Sequence, residues 1–559
     1  MKKISLFIII VLFWLASTGC KKDFLHDGST TEGPITDAQL WGNDNYARGI
    51  LNNAYFTVLD EYSLDGNGAM LASGSDEAVN SNLNSSINIL NNGTWSPVRT
   101  FNDVYSSMYD GLRKVNLFLA NVPRASITPT AELATSDSLS MTLDAQVARL
   151  KGEAFYLRAL FHFELVKRYG AIPLATRVFD RDENLNLPRN SYQECVDQVL
   201  LDCDSAIARL PEWTQSWSTS NRGRATQTAA LALKSRMLLY AASPLNNPGG
   251  DPAKWQLAAN AAKVLIDRNK HSLITPYNNI FLFGTAAYNN EVIFATRALN
   301  RNDIEMNNAP VSYDGALGRT NPTQEMVDAF EMTNGKLITD PTSGYNEANP
   351  YASRDPRLGL TINYNTRTFK SKPVETFVGG KDGLNTNVNA TKTGYYLRKF
   401  MNESVTWNVQ SVTNSRRPWV VFRYAEILLN YAEALNEAQG PVSDVYRYVN
   451  MVRQRTGVNL PALPAGLTKE TMRLRIQNER RVELCFEGHR FYDVRRWKLG
   501  ESLFHKPVTG MRITKNANGT YSYQRFTVEN RVFSEKNYWF PFTQNDINRQ
   551  PALIQNPGY

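Results

Sequence analysis

The sequence predicts a mainly α chain: a stack of helix pairs broken by long irregular loop insertions, with few short strands. Three observations predict it. Apolar residues recur at spacings of three and four through two stretches, about 42–269 and 419–500, which form the helical scaffold. Two other segments lose that rhythm: about 60–101 inside the first stretch, rich in Asn, Ser and Gly, and 271–418 between the two. Finally, 42% of the 559 residues are hydrophobic and 11% aromatic, ample for a large packed core. Composition also excludes classes. Four cysteines in this length do not make a disulfide scaffold. The net charge of +8 is not gathered into a Lys/Arg run, so no nucleic-acid partner is expected.

The first element is a targeting segment. Lys2 and Lys3 precede eleven apolar residues, Leu6 to Ala16, and then Ser17, Thr18, Gly19 and Cys20 follow. Eleven are too few for a membrane span, which needs about 20. A basic start, a short apolar stretch and small residues describe an export signal over residues 1–19. With a cysteine directly after Gly19, it resembles a bacterial lipoprotein signal, in which Cys20 is lipidated and becomes the first mature residue. Several acyl chains hold stably where one is marginal. Residues 20–33 then read as lipidated cysteine plus polar tether, and 34–559 as the body. No later stretch is apolar enough to span, so the chain is expected to be anchored to a membrane without crossing it.

The helices follow in order. Val147, Leu150, Ala154, Leu157, Phe161 and Leu165 form one stripe, stopped at Tyr169-Gly170 with Pro173 behind. Ser191 with Glu194 is a capping box opening a helix striped by Val196, Val199, Cys203, Ala206 and Leu210. Ala230, Leu233, Met237 and Tyr240 mark the next, and Asp251-Pro252 starts its partner, with Trp255, Ala258, Ala262 and Leu265 inward. Tyr424, Leu428, Tyr431 and Leu435 form another, followed after Gly440-Pro441 by Val445, Tyr448 and Val452. Helix pairs of about 34 residues, rich in Ala, are tetratricopeptide-like. No pair buries its apolar face alone, so neighbours must stack into one superhelix. The second insertion holds one clear helical signal, capped at Asn321 to Gln324, running to Glu331 and stopped at Asn334-Gly335. Loops this long are usually functional when ordered.

The densest charge cluster runs from Glu479 to Arg496. Glu479, Glu483 and Glu487 recur every four residues and so line one helix face. Two carboxylates can serve a glycosidase as acid and base. Arg480, Arg481, Arg490, Arg495 and Arg496 surround these, however, and paired arginine works against keeping a general acid protonated. Structural ion pairing is the expectation. Of the five histidines no two stand at ligand spacing, no H-E-x-x-H or paired C-x-x-C occurs, and no zinc site is expected. His162, between two phenylalanines, reads as a core histidine. Cys195, Cys203 and Cys485 read as buried thiols; the first two, eight apart on one helix, are too far apart to bridge, and pairing of either with Cys485 is the alternative. No nucleophile elbow or phosphate loop is present. No cofactor is called for, although the Asp/Asn-rich loops leave room for a structural calcium ion.

Several motifs together resemble the SusD/RagB family of Bacteroidetes outer-membrane lipoproteins. They are YLRALFHFELVKRYGAIPL (Tyr156–Leu174), NPTQEMVDAFEM (Asn321–Met332), RDPRL (Arg354–Leu358) and GYYLRKF (Gly394–Phe400). RYAEILLNYAEALNE (Arg423–Glu437), ERRVELCFEGHRFYDVRRW (Glu479–Trp497) and the terminal QNPGY (Gln555–Tyr559) follow. The resemblance covers essentially the whole mature chain. It implies a nutrient-binding lipoprotein, not an enzyme, that acts as a lid on a SusC-like TonB-dependent transporter. Glycans are the family's commonest ligands, and some members handle peptides. The helical units would face the barrel and the insertions the ligand.

A sugar offers C–H groups on one ring face and hydroxyls around its rim. The first packs on Trp or Tyr; the second needs Asp, Asn or Arg. Asp76, Asn82, Asn92 and Trp95 supply such groups in the first insertion, and Tyr288, Arg301 and Tyr313 in the second. Each has a plainer reading: Trp95 can anchor its loop and Asp76 can cap a helix. The functional expectation is an oligosaccharide-capturing lipoprotein of the outer membrane, lipid-anchored and facing outward. A glycosidase, a peptide binder and a docking scaffold without a small-molecule site are the alternatives.

Overall fold

A computed structural model describes residues 36–133, 142–180, 182–282, 288–408 and 410–559. The export signal, Cys20 and the tether lie outside the described residues. The N-terminal helices are α1 (Asp37–Trp41), α2 (Asp44–Tyr55), α3 (Tyr105–Asn121), α4 (Leu143–Tyr169), α5 (Tyr192–Ile207), α6 (Gln227–Ala242) and α7 (Pro252–Asp267). Local chemistry sets their ends. Thr142 caps α4 by accepting from the Ala145 N–H, and Gly170, at φ 74°, closes it with its N–H on the Val166 carbonyl. The Ser191–Glu194 capping box opens α5, and Asp251 caps α7 ahead of Pro252.

The second insertion contributes α8 (Asp303–Asn308), α9 (Gln324–Ala329) and α10 (Arg357–Thr361). Three helices therefore stand where the periodicity showed one, because five or six residues are too few to display a 3.6-residue stripe. After it come α11 (Tyr424–Gln439), α12 (Ser443–Arg453), α13 (Lys469–Glu483), α14 (His489–Arg496), α15 (Gly500–Phe504) and, near the C-terminus, α16 (Gln544–Arg549).

Each helix from α2 to α7 packs on the next, and α7 then packs on α11, which also carries α12 and α13. The repeat stack thus continues across the second insertion as though it were absent. The expected stripe on α4 is buried apart from half-buried Val147, but so is most of the helix circumference. Polar residues tolerate this because they are paired: Arg158 makes two bonds to Asp202, at 2.6 and 2.9 Å, and Arg168 bonds Glu164. His162 is a core histidine, its Nε2 accepting from the Ala175 N–H.

Three two-stranded antiparallel ladders lace the insertions together. Their strands are β1 (Ala78–Asn80), β2 (Val292–Ala295), β3 (Leu299–Arg301), β4 (Thr320–Pro322), β5 (Ser415–Arg417) and β6 (Val420–Arg423). β1 pairs with β4, joining the two insertions; β3 pairs with β5 and β2 with β6, closing the second insertion on itself. A longer hairpin, β7 (Val508–Lys515) and β8 (Tyr521–Glu529), lies against the second insertion through Met511 and Ile513. The insertions own a second apolar core, including Tyr62, Phe281, Met326, Phe330, Phe400 and Trp419, apart from the helical one. Order here comes from pairing and packing, with helices of only five or six residues.

Candidate functional site

The charge cluster of α13 and α14 was the sharpest alternative to binding, and it is a buried frame. Glu483 accepts from Arg357 at 2.9 Å, Arg423 at 2.8 Å and Arg455 at 3.0 Å. Glu479 accepts from Arg357 at 2.6 Å and Arg453 at 3.1 Å. Glu487 accepts from Arg423 and Lys399, both at 2.7 Å. Burial alone would push the Glu483 carboxyl up. Arg455, Arg423 and Arg357 together outweigh burial and hold it well below the usual carboxylate range. Arg423 and Lys399 do the same for Glu487. Neither group can serve as a protonated general acid near neutral pH.

The partners are not the arginines adjacent in sequence. Side chains one or two positions apart on a helix do not face each other, so those turn elsewhere. Arg480 and Arg496 go to Asp493, at 3.2 and 2.8 Å, Arg481 and Arg490 go to Asp76, and Arg495 goes to the Phe491 and Asn537 carbonyls. Gly488, at φ 80°, makes the turn between the two helices; a Cβ there would stand 2.6 Å from Glu61 Oε2.

This frame consumes some of the residues expected at a ligand site. Asp76 caps no helix: both its oxygens bond Arg490 at 2.8 Å, and Arg481 lies 3.0 Å away. Trp95 is 1% exposed, edge-on to Phe540 at 4.7 Å and to Tyr559 at 6.2 Å, and so pins its loop to the C-terminal tail. Arg301 is closed off by Asp60 and Asp303, each at 2.6 Å. Tyr288 lies against Gly223 of the helical scaffold. Asn92, exposed, and Asn82, half-buried, each accept from a backbone N–H two residues on, at 3.1 Å, and hold turns. The seven residues are therefore not brought into one site. Buried Trp95 and Asp76 offer a ligand no surface. The three thiols, Cys195, Cys203 and Cys485, are free and buried.

Tyr313 is different. Its ring meets Phe369 edge-on at 5.4 Å, its hydroxyl donates to the Phe369 carbonyl, and it stays half-exposed. Trp407 joins it on a small apolar cluster with Phe369, Val374, Tyr396 and Met401. Trp407 is half-exposed, donates from Nε1 to the Asp314 carbonyl at 2.9 Å, and has Lys370 Nζ 5.0 Å from its ring centre. Met401 also lines an adjoining cavity of about 290 Å³ with Tyr277, Phe281, Phe400, Asn402 and Glu403. Arg398 stands at its edge, paired with Glu403 and 5.8 Å from the Phe369 ring centre. Flat rings beside an apolar hollow with an amide and charged rim can hold a ligand that has an apolar face and polar edges. A second hollow, between scaffold and insertions around Glu61, Lys167 and His489, has about 40 Å³, room for water only.

Sequence reasoning passed over Trp407. The available signal was that it is the single tryptophan of residues 271–418, set among Ser, Thr and Asn. Among the described residues no group of three His, Cys, Asp or Glu side chains could hold a metal ion, and no helix is long and apolar enough to cross a membrane.

Comparison with known proteins agrees with this architecture. The sequence model of the SusD family matches residues 290–559, and one described as "Starch-binding associating with outer membrane" matches residues 48–239. SusD-like protein P2 of Formosa agariphila is 25% identical over 431 residues, covering 74% of this chain and 75% of that protein. A SusD-like protein of Bacteroides fragilis superposes with a TM-score of 0.78 at 27% identity, over 94% of this chain and all of the other. A laminarin-binding SusD-like protein, at 22% identity over 93% of this chain and all of its own, shares the fold with a TM-score of 0.65. The helix stack, the insertions and both matched segments agree: the chain belongs to the SusD/RagB family.

Proposed function

We propose that this protein is a glycan-binding lipoprotein of the outer membrane, lipidated at Cys20 and facing the cell exterior. It captures an oligosaccharide for a SusC-like TonB-dependent transporter, over which it acts as a lid. The observation that carries the binding role is the half-exposed pair Trp407 and Tyr313 beside the 290 Å³ cavity, rimmed by Arg398, Asn402 and Glu403. A sugar ring lies on the indole while its hydroxyls reach the rim. Relatives support the ligand class: a B. fragilis protein sharing this fold is described as a SusD-like carbohydrate binding protein, and a further SusD-like protein of the same fold as laminarin-binding. We read the protein as a binder, not an enzyme, and the tying-up of Glu483 and Glu487 by arginines and Lys399 supports this. Capture near the pore raises the local concentration of ligand there.

The test is affinity electrophoresis and calorimetry on the full chain in detergent against a polysaccharide panel. One polysaccharide is expected to be retained, and Trp407→Ala is expected to weaken it at least about tenfold without altering the fold. A chain that binds no glycan yet co-purifies with a barrel would replace this reading with a docking scaffold. Lipid labelling abolished by Cys20→Ala tests the anchor.

A further inference from the structure

The insertions contain more aromatic surface than the Trp407–Tyr313 patch uses. Tyr351 and Tyr364 stack with ring centres 4.2 Å apart, and Tyr523 meets Tyr351 edge-on at 5.7 Å. On the same hairpin strand Tyr521 lies 5.8 Å from Phe377, which the Val378 N–H, bonded to the Ile513 carbonyl at 2.8 Å, holds to β7. All five rings are half-exposed. Across the ladder from Tyr523, on the same face of the hairpin, Ile513 is fully buried, and the five rings pack along the edge of its core with one side left open.

Two features set this cluster apart from a loop anchor. Several tyrosine hydroxyls elsewhere in the second insertion are spoken for: Tyr277 donates to the Glu483 carbonyl, Tyr395 to Gln324 and Tyr396 to the Asp382 carbonyl. Those of Tyr364, Tyr521 and Tyr523 have no partner among the described residues. Arg367 ends the turn that Tyr364 begins, its N–H on the Tyr364 carbonyl at 3.0 Å, and its half-exposed side chain makes no hydrogen bond or ion pair among the described residues. Rings with free hydroxyls and an unsatisfied guanidinium are donors and flat faces without a protein partner.

A short chain of contacts also links the cluster to the first patch. Arg398, near the Phe369 ring on which Tyr313 packs, donates to Asn363 Oδ1 at 3.0 Å, and Asn363 directly precedes Tyr364. We propose that Tyr364, Tyr521 and Tyr523, with Arg367, form a second sugar-contacting platform. The ligand is then a chain long enough to run from Trp407 past Arg398 to the β7–β8 hairpin. This rests on the glycan-binding reading and extends it to a polymer spanning two sites.

The experiment uses the full chain in detergent against immobilised polysaccharides, laminarin and starch among them, with short oligosaccharides of the retained polymer's linkage. Tyr364→Ala and Tyr521→Ala are each expected to weaken the polymer about threefold to tenfold and to leave the shortest oligosaccharides unchanged. Trp407→Ala is expected to weaken both. Tyr364→Phe, which keeps the stack and removes only the hydroxyl, guards against misfolding and is expected to show a smaller loss of polymer than Tyr364→Ala. Unchanged polymer binding in the tyrosine variants, or an equal loss for polymer and short ligand, overturns the second platform while leaving the first. Retention of no polysaccharide at all overturns the glycan reading, and this inference with it.

Discussion

The joint between the first insertion and α13–α14, and the outer face of the second insertion, use the same residue types to opposite ends. At the joint, Asp76 is saturated by Arg490 and Arg481, Glu483 by three arginines, and Trp95 is sealed under Phe540 and Tyr559. On the outer face Trp407 lies half-open, and among the described residues three tyrosine hydroxyls and the Arg367 side chain have no hydrogen-bond partner. The difference is in what distant chain supplies. Residues as remote as Arg357, Arg423 and Phe540 converge on the joint, whereas the described residues leave the rings of the outer face half-exposed. A rigid base therefore carries an unsatisfied surface, which is the arrangement a receptor needs if its ligand is to replace water rather than protein.

The strongest way to break that contrast is to unpair the joint. Arg423 bonds Glu291, Glu483 and Glu487 and is 1% exposed. Arg423→Ala takes one cationic partner from each of three buried carboxylates, leaving Glu487 only Lys399 and Glu291 only Arg455 among the described residues. The substitution is expected to cost about 3–5 kcal/mol in chemical denaturation. A loss below 1 kcal/mol would mean the frame is not closed.

The two tryptophans sharpen it. Trp95→Ala is expected to cost about 3 kcal/mol, the low end for such a truncation, because its buried Nε1 has no acceptor to lose. Trp407→Ala is expected to cost less than about 1 kcal/mol, as a half-exposed side chain, while abolishing most ligand retention. Thermal melts beside affinity gels separate the two, and equal melting shifts would erase the distinction between anchor and contact.

Acid probes the scaffold from another side. Burial and the Arg158 charge lower His162 to about 3, and burial lowers His271 to about 4. A folded pKa below the free value near 6.5 means the unfolded chain binds more protons. That stability is complete above about pH 6.5 and falls away as pH drops towards 4. The ionised glutamates of the joint hold until lower pH. Melting temperature is expected to fall between pH 6.5 and 4, and His162→Gln to flatten part of that slope.

How much of this was legible in the sequence follows the range of the interactions. The Ser191–Glu194 box, the Asp251-Pro252 start and the α4 stop at Gly170 are local and read directly. The β1–β4 ladder pairs residues more than 200 positions apart, and no periodicity announces it. Ion pairing of Glu479, Glu483 and Glu487 was foreseeable from composition, but their partners, Arg357, Arg423 and Arg455 among them, come from other elements. Trp95 and Trp407 both sit among Ser, Thr and Asn. Only the arrival of Phe540 and Tyr559 over one of them separates anchor from surface.

The smallest expected effect is the most specific. Glu77 is 1% exposed beside Asp76; its Oε1 accepts from the Phe486 N–H at 3.1 Å, and its Oε2 has no partner. Burial pushes its carboxyl up to about 8, the Phe486 bond opposing and the Asp76 charge adding, while Arg490 and Arg481 pull it down. The folded pKa lies above the ordinary value of 4.5, so the native state holds a proton that the unfolded chain has released. This contribution is complete below about pH 4.5, declines as pH rises, and is gone above about 8. Glu77→Gln keeps the shape without the ionisation. Calorimetry is expected to find the variant and the unaltered chain melting alike at pH 5, and the variant melting a few degrees higher at pH 9. A shift of the same size at both pH values would show that the carboxyl is already ionised, and that even this corner of the joint is fully paired.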